Sequence, residues 1–182
     1  GICTSQKSRI NLQGTTIRGN RATEAAGGVL LQGYGSVMNF SRGLVENNSA
    51  VYGGGMYIST NTTLNMTGGT VRNNTAGKDG GGIMQLLSTA NYQGGIVENN
   101  KATVNGGGLC TTQKCTVNLE GTKFAGNSAD EAGGGVLIQG YGSTLQLTSG
   151  QITGNTATLG AGLFGSVNTV LGITGGEIFE NA

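Results

Sequence analysis

Residues 81–102 read GGIMQLLSTANYQGGIVENNKA, and the order of residue types in this stretch decides the fold. Gly82 is followed by two apolar residues, Ile83 and Met84. An apolar–polar–apolar triplet, Ala90-Asn91-Tyr92, comes next, then the isolated apolar Val97, then Asn100 and Ala102. Working outward in both directions, the same order returns along the whole chain. Its leading glycines are Gly1, Gly28, Gly55, Gly82, Gly108, Gly135 and Gly162, spaced 27, 27, 27, 26, 27 and 27 residues apart. A period in the twenties marks a solenoid whose coils stack on one another.

Aligned on those glycines, each coil shows three strand-like columns. The first runs Ile2-Cys3, Val29-Leu30, Met56-Tyr57, Ile83-Met84, Leu109-Cys110, Val136-Leu137 and Leu163-Phe164. The second alternates with period two, as in Ile10-Asn11-Leu12, Met38-Asn39-Phe40 and Leu64-Asn65-Met66. The third centres on Ile17, Val45, Val71, Val97, Phe124, Ile152 and Ile178. No single coil buries an apolar face alone. Stacked in parallel at roughly 4.8 Å per coil, the strands bury it against themselves. The prediction is an all-β chain, a parallel β-helix of about seven coils of ~27 residues with three short strands per coil. The repeat runs from end to end, so residues 1–182 form one solenoid domain, read as a segment of a longer array or as a self-stacking unit.

Composition excludes several classes. There are 37 glycines at fixed places in the period, no proline and no histidine. Absence of histidine removes the commonest general base and zinc ligand, and neither a metal nor a cofactor is expected. A net charge of +1 with dispersed charges speaks against nucleic acid or anionic lipid as partner. No apolar run approaches the roughly 18 residues of a membrane helix, so membrane insertion is not expected.

An asparagine closes the third strand in each coil, at Asn20, Asn47, Asn74, Asn100, Asn127, Asn155 and Asn181, and is read as a stacked amide ladder at a turn. Small residues follow, among them Ala22, Ala50, Ala76, Ala102 and Ala129. Arg18, Glu46, Arg72 and Glu98 share an outward position, so adjacent coils carry opposite charges that help set the stacking register. Asn11, Asn39, Asn65, Asn91, Asn118 and Gln146 form a second, solvent-facing amide column. A longer repeat overlies the short one: Gly1–Asn48 aligns without gaps on Gly108–Asn155. GICTSQKSRINLQG then matches GLCTTQKCTVNLEG, and GGVLLQGYGS matches GGVLIQGYGS.

The first strand breaks the alternation, because both of its columns are apolar although adjacent side chains point to opposite faces. Leu30, Tyr57, Met84, Leu137 and Phe164 are therefore expected on an outward strip that packs on another chain or another copy. A missing segment is a further candidate cover, and the alternative is that a long loop of the same chain covers them or that the coil bends to bury both columns. Cys110 and Cys115 share a coil and are candidates for a local disulfide, while Ser8 replaces the second cysteine in the other copy and leaves Cys3 unpaired; three buried reduced thiols are the alternative. Catalysis on polysaccharides needs paired carboxylates. The nearest arrangement is Glu46 and Glu98, two coils apart with Arg72 between, and it reads better as the middle of the charge column.

The pairing of GG-apolar with apolar-x-x-Asn resembles the repeats of polymorphic outer membrane proteins and of adhesin-like surface proteins. It appears as GGVL, GGMY, GGIM, GGLC and AGLF with IRGN, VENN, VRNN, FAGN, ITGN and IFEN. The resemblance implies a right-handed β-helix, secreted or displayed at the cell surface, used for adhesion or as a stalk, with no catalytic residues to carry over. The expected function is a non-catalytic adhesive or structural element that assembles through uncapped ends and the apolar strip. Self-association or another protein chain is the expected partner, with surface glycans as a further one. A carbohydrate-binding or polysaccharide-degrading β-helix is the runner-up, and an ice-binding one ranks third.

Overall fold

The computed structural model describes residues 1–182, and the chain winds as a parallel β-solenoid without any helix. Three parallel sheets run along the rod. One stacks the short first strands Ile2–Cys3, Val29–Leu31, Met56–Ile58, Ile83–Gln85, Leu109–Thr111, Val136–Ile138 and Leu163–Gly165 in chain order. The second stacks ten-residue strands, Arg9–Arg18, Val37–Glu46, Thr63–Arg72, Thr89–Glu98, Thr116–Ala125 and Thr144–Thr153. The third stacks the two-residue strands Ser49–Ala50, Thr75–Ala76, Lys101–Ala102 and Ser128–Ala129.

Three strands per coil are present, but they are divided differently from the reading above. The columns centred on Asn39 and Val45 lie on one continuous long strand, interrupted by bulges such as those between Leu12 and Thr15 and between Tyr92 and Ile96. A bulge inserts a residue and re-aims the side chains beyond it. Phe40 and Val45, five residues apart, therefore both point inward although strict alternation would oppose them. Only the last coil splits the long strand, into Val170–Ile173 and Glu177–Phe179. The third strand is instead the small-residue column, whose Ala76, Ala102 and Ala129 pack as a buried patch.

The interior is one continuous apolar column. Val29 and Leu31 from the first strand meet Met38, Phe40 and Val45 from the long strand, and later coils repeat the arrangement except that buried Gln85 and Thr111 stand at the Leu31 place. Tyr92 and Phe124 meet edge-on at 5.7 Å. Tyr92 is wholly buried, and its hydroxyl reaches Gln85 Oε1 at 3.3 Å, so burial raises its pKa.

The asparagine ladder exists, with one member corrected. It runs Asn20, Asn48, Asn74, Asn100, Asn127, Asn155 and Asn181, each Nδ2 donating to the next Oδ1 at 2.9–3.0 Å. Each Oδ1 also accepts the preceding asparagine's backbone N–H, and each Nδ2 also donates to a strand carbonyl of the coil before, as Asn100 does to Val71. Asn47 is not in the ladder. It is exposed at φ 54°, like Asn73 and Asn99 at the same place, and makes the left-handed turn that lets the next residue point inward.

The expected apolar strip is not an open face. Met84, Cys110 and Leu137 are 3%, 0% and 1% exposed and form a second small cluster with Ala132. Tyr57 and Phe164 are half-buried at its margin, and Leu30 is half-buried in the same column. The cover comes from the chain itself. Four residues before Tyr57, Met84, Cys110, Leu137 and Phe164 lie the left-handed Gly53, Gly80, Gly106, Gly133 and Gly160, each folding directly over that side chain's Cβ, and the left-handed Ala26 holds the same place before Leu30. A Cβ at Gly133 would stand 2.6 Å from that of Leu137. Alternation placed the column outside correctly; the returning turn then buries it.

Asn100→Ala strips partners from Asn74 Nδ2, the Asn74 N–H and the Val71 carbonyl, and should lower unfolding free energy in urea by about 3–5 kcal/mol, whereas Asn47→Gly should stay within about 0.5 kcal/mol. Leu137→Ser, which an open strip would tolerate, should cost about 2–4 kcal/mol.

Candidate functional site

Every coil offers the same outer surfaces, so a site must stand out from the repeat. The outward amide column is real but regular. Asn39, Asn65, Asn91 and Asn118 each donate from Nδ2 to the Oδ1 one coil earlier, at 2.8–3.0 Å, beginning at Asn11. Gln146 leaves the line and donates to Thr174 Oγ1. This ladder runs in the opposite sense to the buried one and engages one Nδ2 hydrogen of each donor.

The charge column is shorter than its sequence. Arg72 Nη2 and Nε lie 2.8 and 2.9 Å from Glu46 Oε2, and Arg18 Nη1 lies 3.9 Å from Oε1. Glu46 is buried, with 9% of its side chain exposed between the two arginines. Glu98 pairs in register with Arg72 but makes no ion pair. The column ends there, because Ala125, Thr153 and Phe179 occupy the equivalent places in the next coils. The carboxylate that a Glu46–Glu98 catalytic pair would need is therefore already committed.

Of the two alternatives for Cys110 and Cys115, the structure has the reduced one: all three cysteines are free thiols. Cys110 Sγ faces Thr111 O and Gln139 Nε2, whereas Cys115 Sγ faces Gln113 O. Cys110 points to the outer face of its strand and is covered by the glycine turn. Burial pushes its thiol well above the usual range.

What stands out is the turn edge between the first and long strands. Tyr34 and Tyr141 project there, 68% and 72% exposed. Each sits at the first central position of a turn closed by a backbone bond, Ser36 N–H to Gly33 O and Ser143 N–H to Gly140 O, both at 3.1 Å. The following glycines, Gly35 and Gly142, both have φ 75°, as a type II turn requires. Ser36 and Ser143 are wholly buried and accept the N–H of Ser8 and of Cys115 one coil earlier, at 3.1 and 3.2 Å. Thr4 and Thr111 likewise accept the N–H of Gln32 and Gln139, each at 2.9 Å. The loop is thus one rigid device built twice.

A lysine accompanies each tyrosine. Lys7 and Lys114 donate their backbone N–H to Tyr34 O and Tyr141 O, and their side-chain stems lie over Gly35 and Gly142 of the next coil. Between the tyrosines the edge is grooved. A hollow of about 400 Å³ runs from Tyr34 past Asn61 and Leu87 to Lys114, and another of about 260 Å³ joins Leu87 and Lys114 to Gln113 and Tyr141. The duplicated QGYGS was visible in the sequence. Its signal as a site is an aromatic held between two glycines at a turn, Gly33-Tyr34-Gly35 and Gly140-Tyr141-Gly142.

Parallel stacking, short turns and internal amide ladders define the class as a β-solenoid. The chain matches the family described as right handed beta helix region over residues 1–182, and it belongs to that family, whose hand its coils share. No curated protein and no solved structure matches it.

Thiol accessibility tests the cysteine assignment. Native protein should release one equivalent with Ellman's reagent, from Cys3, and all three thiols only after unfolding. Glu46→Gln should lower stability by about 1–2 kcal/mol, and the difference should shrink in high salt as the Arg18 and Arg72 pairs are screened.

Proposed function

We propose that this chain is a non-catalytic β-helical segment displayed outside the cell, secreted or at the surface, where it serves as an adhesive and structural element. The observation that carries this reading is the tyrosine–lysine edge, held out on a rod whose buried asparagine column is fully engaged in stacking. Glycan cleavage by two carboxylates requires them about 5–10 Å apart and free to exchange protons. The nearest candidate, Glu46, is held by two arginines instead.

The structural half of the reading rests on the rod itself, whose coils the buried asparagine ladder holds in phase.

Beads coated with the chain should be retained on cell layers under flow, and incubation with a polysaccharide panel should release no new reducing ends. Release of sugar products would overturn the non-catalytic reading; beads that wash off as uncoated ones do would overturn the adhesive one.

A further inference from the structure

We propose that the edge carrying Tyr34 and Tyr141 binds one linear acidic glycan at two points, about 19 Å apart by four coil spacings of roughly 4.8 Å. The inference rests on the adhesive reading and names the ligand of that edge.

The chemistry of the edge selects the ligand. An exposed tyrosine face is electron-rich and takes the C–H-bearing face of a sugar ring. Around it, the turn residues 4–8, 32–36, 59–63, 86–89, 112–116, 139–143 and 166–169 contain two lysines and no aspartate or glutamate. This edge is therefore positive on a chain whose net charge is only +1. Lys114 lies where the two hollows meet, placed to pair with a carboxylate or sulfate on a ring between the tyrosines. Asn61 and Gln113 supply amides for hydroxyl groups along the way.

Geometry favours a polymer over a small molecule. The hollows are open, so no single site encloses a ligand. Their line of lining residues, from Tyr34 to Tyr141, suits an extended chain. Both tyrosines are held by type II turns and buried serines, so binding orders only their side-chain rotamers. Two identical contacts on a rigid rod add by effective concentration once a ligand spans both. A single-stranded nucleic acid would also stack on tyrosine, but it needs a positive track along its whole backbone. Two lysines do not provide one.

The test is calorimetric titration of the intact chain with uronate oligomers from alginate and sulfated oligomers from carrageenan, graded by length. Neutral cello-oligosaccharides and a thymidine dodecamer serve as comparators. Oligomers long enough to reach both tyrosines should bind at least tenfold tighter than short ones. Tyr34→Ala or Tyr141→Ala alone should abolish that length advantage, and the double variant should lose binding at least tenfold further. Lys114→Gln should weaken acidic oligomers and flatten their salt dependence, with circular dichroism unchanged in all variants. Preference between the uronate and sulfated series identifies the anionic group.

Absence of binding by both acidic series, or unchanged binding in the double tyrosine variant, overturns the proposal. Equal affinity for the neutral series overturns the acidic assignment, and tighter binding of the dodecamer overturns the choice of glycan. Retention of coated beads without oligomer binding would sink this inference alone. Oligomer binding followed by cleavage would leave the site standing and sink the non-catalytic reading.

Discussion

The structure depends on a carboxamide having as many hydrogen-bonding capacities as a stacked position can use. Each inner ladder asparagine donates both Nδ2 hydrogens, one along the rod and one to a strand carbonyl, while its Oδ1 accepts an amide and a backbone N–H. Nothing is left unpaired: no buried side-chain nitrogen or oxygen lacks a partner. A group of this kind is cheap to bury only when it is fully satisfied. Aspartate lacks the donors and leucine lacks both functions, so each coil needs an asparagine there. Successive ladder members are 28, 26, 26, 27, 28 and 26 residues apart, yet the bonds stay at 2.9–3.0 Å. Variation in coil length is therefore absorbed by the turns, and the ladder holds the coils in phase.

Fold and register were legible because stacking repeats the same residue type at the same place. The glycine period, the period-two triplets and the apolar-x-x-Asn endings each report one column, and all columns agree. The failures have physical causes. In Asn47-Asn48 one asparagine makes a left-handed turn and the other enters the ladder, so residue type alone does not separate them. Counting three residues from the inward Val45, or pairing Asn48 with Asn155 in the duplicated block, does. The outer apolar column was placed by alternation, which describes a strand and not the loop that returns over it. Its cover was announced by glycines four residues upstream, a relation between a turn and a strand that periodicity does not express.

Features of this chain recur on two periods, and the periods separate what builds the rod from what the rod displays. A residue needed for stacking must appear in every coil, as the ladder asparagines do. The charge column fails that test: the four-coil duplication replaces Arg18 and Glu46 by Ala125 and Thr153, so it is a local reinforcement. Tyr34 and Lys7 behave oppositely. Neither is required by its column, since Thr60, Leu86 and Gln113 occupy the tyrosine's equivalent places in the intervening coils, and Gly35, Asn61 and Leu87 those of the lysine. Yet Tyr34, its two flanking glycines, Ser36 and Lys7 all return together as Tyr141, Gly140, Gly142, Ser143 and Lys114. Duplicating four coils of a parallel solenoid sets the second copy on the same edge, facing the same way, at a fixed distance. A weak contact carried by one block thus becomes a bivalent one without any further residue changing, and the stiffness of the ladder is what keeps the two contacts at a constant separation.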